Sequence, residues 1–191
     1  MSNSTSTAPV VPAVPLVERE TATRDVKDLL DQIHGAFGTV PTMFRAVANS
    51  PAALTSMWSS FGALGGGALG PALGEQIAVA VANRNSCEYC LAAHTALGRK
   101  AGLTREELVA AQDGASDDPR TAALLTFALQ VVEHRGQVTD QDVQAVRDQG
   151  WGDEHIVEVI AQVALNLFTN YVNIALAVPV DFPAVALRRA S

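Results

Sequence analysis

Along most of this chain, apolar residues recur at spacings of three and four, the period of one helical face. Val26, Leu29, Leu30 and Ile33 carry the pattern from about Glu18 onward, and Gly35 and Gly38 mark its end. Pro41 opens a short helix through Ala48; Asn49-Ser50-Pro51 breaks the chain and restarts it, with Ser50 as N-cap of a helix to about Leu64. The glycine-rich stretch 62–74, with Pro71 inside it, reads as a loop or hinge, and 71–84 as the next helix, with Glu75 near its start. Asn83-Arg84-Asn85-Ser86 is a polar break, and Asn85 or Ser86 can cap a helix over 87–101. Thr104 and Glu107 form a capping box. Asp117 or Asp118 before Pro119 starts a long helix to about Arg135, Thr139 or Asp140 starts one ending near Gly150, and Asp153 starts an apolar helix to about Val178. No segment sustains period-two alternation, so the pattern predicts an all-α fold of eight or nine helices, without internal repeats.

Composition agrees. Hydrophobic residues make up 48% of the 191, enough for a sizeable core, while aromatics are only 5%, which suits close-packed Ala/Leu/Val helices. The expected organisation is a flexible Ser/Thr/Pro/Val-rich N-terminal arm over 1–16 and one helical domain over 17–191. A net charge of −7, with no basic stripe, excludes nucleic acid as an expected partner. The most apolar segment, 156–180, is interrupted by Gln162, Asn166, Thr169, Asn170, Asn173 and Pro179, so it reads as a core helix rather than a membrane span. No charged n-region precedes an apolar h-region, and a cytoplasmic location is the default expectation.

The chemistry gathers in one stretch. The only cysteines are Cys87 and Cys90, too few and too close for a secreted disulfide scaffold. On a helix, residues three and four apart are neighbours, so Cys87 and Cys90 share a face, as do Cys90 and His94. The attacking species at peroxides and disulfides is the thiolate. A helix N-terminus favours negative charge, most at Cys87, and an imidazole one turn away can take the proton of Cys90. A second thiol within reach resolves a sulfenic acid. Glu88 should point away, and Tyr89 either lines the pocket or is partly buried in the core. Glu75 lies at the start of the preceding helix, and an antiparallel pairing need not bring it close to Cys87.

Taken together, Glu75-Gln76, Asn83, Cys87-Glu88-Tyr89-Cys90 and Ala93-His94 resemble the AhpD-like alkylhydroperoxidases of the carboxymuconolactone decarboxylase superfamily, whose motif is a glutamate, eleven residues, then Cys-x-x-Cys-x-x-x-His. Val40-Pro41 with Met43-Phe44, Asn49-Ser50-Pro51 and the late segment ending Pro179-Val180-Asp181-Phe182-Pro183 extend the resemblance, which covers about 17–185. It implies an AhpD-like helical bundle that assembles as a homo-trimer or homo-hexamer. It also implies a thiol peroxidase or disulfide oxidoreductase acting on a hydroperoxide. Catalytic residues would be Glu75, Cys87, Cys90 and His94, with Cys90 attacking the peroxide and Cys87 as its disulfide partner. Neither cofactor nor metal is implied; a dithiol reductant protein, lipoylated or thioredoxin-like, would regenerate the pair. The founding enzymes carry a histidine between the cysteines where this chain has Tyr89, a departure that bears on the partners more than on the thiol chemistry.

Two other functions compete. Cys87, Cys90, His94 and Glu75 could bind zinc, giving a zinc-stabilised or redox-sensing helical module without turnover. A lactone decarboxylase-like activity is the second; the decarboxylases for which the superfamily is named lack the cysteine pair. The sequence suggests surface or capping roles for His34, His134 and His155, and core or interface anchoring for Trp58 and Trp151. Leu165, Phe168, Tyr171 and Ile174 read as core and subunit interface. Asn166, Asn170 and Asn173 share one face of that last helix, and buried amides there would need partners near the site.

Overall fold

The computed structural model describes residues 11–188, and within them every regular element is a helix. In chain order these are α1 (Arg24–Phe37), α2 (Thr42–Val47), α3 (Pro51–Gly65), α4 (Gly70–Arg84), α5 (Glu88–Lys100), α6 (Arg105–Gln112), α7 (Pro119–Glu133), α8 (Asp140–Asp148) and α9 (Asp153–Ala175). The all-α expectation is met. Residues 1–10 of the N-terminal arm and 189–191 lie outside the described residues. From the rest of the arm, the Ala13 amide donates to the Leu176 carbonyl at 2.8 Å, and Val14 and Leu16 pack on the core.

α4 is the central element. Gln76 through Asn83 are buried without interruption, so over this stretch the helix has no solvent face. α5, α6, α7 and α9 pack around it. Small residues allow the close approach: a Cβ added at Gly98 on α5 would meet Leu108 Cδ2 at 2.7 Å and Glu75 Cβ at 3.6 Å.

Several boundaries follow from local chemistry. Ser50 Oγ accepts the Ala53 amide, the Thr104–Glu107 capping box is formed, and Asp118 rather than Asp117 caps α7. A second capping box joins Thr139 to Asp142. α1 begins at Arg24 rather than near Glu18, because the chain first makes a turn in which the Thr21 amide donates to the Glu18 carbonyl. Gly35 is accommodated inside α1, and Gly38, at φ 77°, ends it. The glycine-rich stretch 62–74 is mostly helical rather than a hinge; only 66–69 lie between α3 and α4. Glu158 of α9 explains this: its carboxylate accepts the Ala68 and Leu69 amides at 2.8 and 3.0 Å, satisfying orphan donors at the start of α4. A Cβ on Gly67 would lie 2.6 Å from Glu158 Oε2, so a larger residue there would have to displace this carboxylate.

After α9 the chain returns as a strap across the site end of the bundle. Thr42 donates its amide to Asp181 and its hydroxyl to the Pro179 carbonyl, both at 2.7 Å. Further on, Asn83 exchanges two hydrogen bonds with the Arg188 backbone, at 3.0 and 2.9 Å.

Candidate active site

The corner between α4 and α5 sets the geometry. Ser86 takes a left-handed conformation, φ 56°, and closes α4: its amide donates to the Asn83 carbonyl, and the Cys87 amide to the Ala82 carbonyl at 2.9 Å. Because Ser86 is used to end α4, the N-cap of α5 moves one residue on, to Cys87 rather than Asn85 or Ser86. Cys87 Sγ accepts the Cys90 amide at 3.3 Å. The two thiols are thus brought together at the first turn of α5, both free and both buried.

α9 supplies what surrounds them. Asn173 Nδ2 donates to Cys90 Sγ at 3.1 Å, and Thr169 Oγ1 lies 3.9 Å from the same sulfur. Asn170, fully buried, accepts from Asn85 at 2.9 Å, locking α9 to the corner. Of the three amides, Asn170 and Asn173 each find one partner at the site, with Asn173 touching the sulfur itself, while Asn166 donates back to the Gln162 carbonyl of its own helix.

Glu75 also arrives. α4 and α5 pair antiparallel, and the register sets Glu75 opposite His94 rather than opposite Cys87. The imidazole Nδ1 lies 2.8 Å from Glu75 Oε2. The order is carboxylate, imidazole, Cys90, Cys87.

This arrangement separates the two thiols electrostatically. Cys90 is lowered to about 6, first by the hydrogen bond from the Cys87 thiol, against the opposing effect of burial, and further by the His94 charge and the Asn173 and Asn170 amides. Cys87 is pushed far up by that same hydrogen bond, by burial and by the Cys90 charge. The helix N-terminus was expected to favour charge most at Cys87; the added donors reverse the preference. Burial alone would lower His94, but the charge and hydrogen bond of Glu75, with the charge of Cys90, raise it overall.

Above Cys90 lies a cavity of about 300 Å³. Cys90, His94, Glu75 and Thr169 form its polar floor, and Phe37, Phe44, Trp58, Phe61, Tyr89 and Phe182 line it. Phe44 stands edge-on to Trp58 at 5.8 Å and to Phe61 at 5.9 Å. Tyr89 is both buried and pocket-lining: its hydroxyl accepts the Met43 amide at 3.3 Å and its ring meets Phe182 edge-on at 5.7 Å. Burial is the main reason that its phenol is pushed up. Trp58, read from sequence as a core or interface anchor, does pack on the core and also lines this cavity. Apart from Tyr89 on α5, the aromatic lining was the part of the site missed by sequence reasoning, since its other members come from α1, α2, α3 and the strap. Trp151 is an anchor, with Arg120 over its ring at 4.5 Å and half-buried His155 against it at 4.9 Å. His134 caps α7. Among the described residues, no three or more His, Cys, Asp or Glu side chains group to hold a metal, and no helix is long and apolar enough to cross a membrane.

Fold and site together define an all-helical protein with a buried Cys-x-x-Cys pair backed by an imidazole–carboxylate couple. Residues 51–134 match the Carboxymuconolactone decarboxylase family. Among solved structures, an uncharacterized peroxidase-related protein from Ralstonia eutropha JMP134, described as an alkylhydroperoxidase AhpD core, superposes with a TM-score of 0.80 at 26% identity, over 92% of this chain and 94% of that one. A peroxidase-related protein from Silicibacter sp. TM1040 gives 0.77 at 22%, over 97% and 96%. The debrominase Bmp8 gives 0.74 at 18%, over 90% and 91%. No curated protein matches the sequence at a significant level. Residues 51–134 thus carry the match to the Carboxymuconolactone decarboxylase family, and the chain shares its fold with AhpD-like, peroxidase-related proteins.

Proposed function

We propose that the protein is a thiol-dependent peroxidase and disulfide oxidoreductase that reduces organic hydroperoxides. The observation that carries this reading is Cys90 Sγ, held by Asn173 at 3.1 Å on the floor of the aromatic cavity, beside the His94–Glu75 couple. The Cys90 thiolate attacks the terminal peroxide oxygen, the O–O bond breaks, and the alcohol leaves with a proton from His94. Glu75, hydrogen-bonded to Nδ1, orients the ring and stabilises its charged form, leaving Nε2 for the exchange. The Cys87 thiol then displaces hydroxide from the Cys90 sulfenic acid as water, and the Cys87–Cys90 disulfide forms. A dithiol reductant, lipoylated or thioredoxin-like, returns the pair to thiols. Two buried free thiols suit a reducing compartment such as the cytoplasm.

Against the zinc-stabilised module stands the use already made of the would-be ligands: Glu75 is engaged with His94 Nδ1, and Cys87 Sγ with the Cys90 amide. Lactone decarboxylation needs no thiol at the cavity floor.

The test is a thiol count on pre-reduced protein before and after one equivalent of cumene hydroperoxide, with zinc assayed in the same sample. The expected result is loss of both thiols, restored by a dithiol, and no loss of the remaining thiol in Cys90→Ser. Unreactive thiols with stoichiometric zinc would overturn the proposal.

A further inference from the structure

The two sulfurs are reached from two different cavities. The aromatic cavity is lined by Cys90 and not by Cys87. A separate cleft of about 230 Å³ is lined by Cys87 and not by Cys90. Its walls are Ser86 and Glu88 at the α4–α5 corner, and Ile174, Ala177, Pro179 and Val180 where α9 passes into the strap. Tyr89 lines both spaces and forms the partition. In the single chain the rim residues Ile174 and Val180 are 50% and 42% exposed, while Cys87 at the floor is 1% exposed.

Displacement at sulfur runs in line: the attacking atom, the attacked sulfur and the leaving group align. A peroxide in the aromatic cavity leaves its hydroxyl on Cys90 pointing away from Cys87, so Cys87 attacks from behind. In the resulting disulfide, the face of Cys87 turned away from Cys90 is the one that fronts the cleft. We infer that oxidant and reductant use opposite sides of the pair: the hydroperoxide meets Cys90 in the aromatic cavity, and the reducing thiol, carried on a slim apolar arm, enters the cleft and attacks Cys87. The oxidant half rests on the peroxidase reading above; the cleft half requires only that the disulfide form.

The reducing step balances. The arm's thiolate bonds to Cys87 Sγ, the Cys87–Cys90 bond breaks, and Cys90 leaves as the thiolate favoured by Asn173 and His94; the sulfur with the lower proton affinity leaves faster. The arm's second thiol closes its own disulfide and releases Cys87. Two electrons and two protons pass from the dithiol to the protein, one proton to Cys87 and one to Cys90 or the His94–Glu75 couple.

Three features specify the occupant. The depth of the sulfur, 1% exposed at the floor of the cleft, excludes a thiol set flat on a folded surface and admits one at the end of a chain. The wall is apolar apart from Ser86, Asn173 and Glu88, and the Glu88 charge at the rim disfavours an anionic thiol such as glutathione. Asn173, 4% exposed at the cleft wall, has a buried Oδ1 with no hydrogen-bond partner among the described residues, an acceptor left for the arm's second, still protonated thiol. Both helix ends at the cleft are also held by non-glycine residues in left-handed backbone, Ser86 at φ 56° and Ala177 at φ 48°, conformations that persist where surrounding structure enforces them.

The experiment separates the half-reactions in full-length protein. Thiol loss is timed with cumene hydroperoxide. Thiol return is timed with dihydrolipoamide and with glutathione, from disulfide made with the hydroperoxide or with diamide. Val180→Trp, which fills the cleft, should slow return to dihydrolipoamide by at least about tenfold and leave loss within about twofold. Ala36→Trp, at the other cavity, should do the reverse. Glu88→Lys, which does not depend on a bulky side chain being tolerated, should raise the glutathione rate relative to dihydrolipoamide. Val180→Trp that slows both steps equally or neither, or a Glu88→Lys ratio that does not move, would overturn the cleft assignment. Wild-type thiols inert to hydroperoxide, with diamide-made disulfide still returned in a Val180-dependent way, would instead sink the peroxidase reading and keep the cleft.

Discussion

Cys90 owes its properties partly to its own helix, through the N-cap Cys87 thiol and His94, and partly to α9. From α9, Asn173 donates to the sulfur at 3.1 Å. With Cys90 lowered to about 6, thiolate is the main form at neutral pH. The sign is direct: the nucleophile is the deprotonated form, so alkylation by iodoacetamide should fall as pH drops through about 6 and be flat above it. Asn173→Ala removes a donor to the charged form. A hydrogen bond to a charge contributes about 1.5–3 kcal/mol, so the midpoint should rise by about one unit or more. An alkylation profile unchanged in Asn173→Ala would show that Asn173 does not hold the thiolate. Of this residue-scale chemistry, the Cys87, Cys90 and His94 register was readable because helical spacing is local. Asn173 was readable only as a buried amide on α9, because its partner lies on another element.

At the scale of elements, the α4–α5 pair determines whether Glu75 serves the site. Their antiparallel register sets the carboxylate against His94, and Gly98, one turn beyond His94, lets the helices and the Leu103–Leu108 segment close on each other. Gly98→Val adds branched bulk where a Cβ alone already meets Leu108 Cδ2 at 2.7 Å. Overpacking of this kind costs about 1–3 kcal/mol, read as a lower urea midpoint at unchanged slope. The Glu75–His94 contact should loosen with it, so thiol oxidation should slow more than the loss of stability explains in protein that remains folded. The sequence showed both helices but left their register open, since the glycine gap at position 98 acquires meaning only once α6 is packed over it.

At the scale of the molecule, α9 presents an apolar stripe to solvent: Val157 is 64% exposed, Ile160 42% and Tyr171 59%. These side chains recur at helical spacing along one face, which supports the homo-oligomer that the family resemblance implies. Val157→Glu with Tyr171→Glu should lower the mass measured by light scattering to that of the 20.0 kDa chain, with far-UV helicity retained. A wild-type protein already at that mass would remove the homo-trimer and homo-hexamer expectation altogether.

What the sequence determined by itself was whatever depends on near neighbours: helix after helix from apolar spacing and caps, and the stacking of Cys87, Cys90 and His94 along one stripe. Tertiary structure decided what depends on distant segments meeting. It moved the cap from Ser86 to Cys87, seated the Glu158 carboxylate on the Ala68 and Leu69 amides between α3 and α4, and made Trp58 a cavity wall as well as a core contact. It also gave each thiol a cavity of its own. Periodicity reports only which face of a helix is apolar; whether that face meets a core, a substrate or a second copy is settled by the packing of elements far apart in the chain.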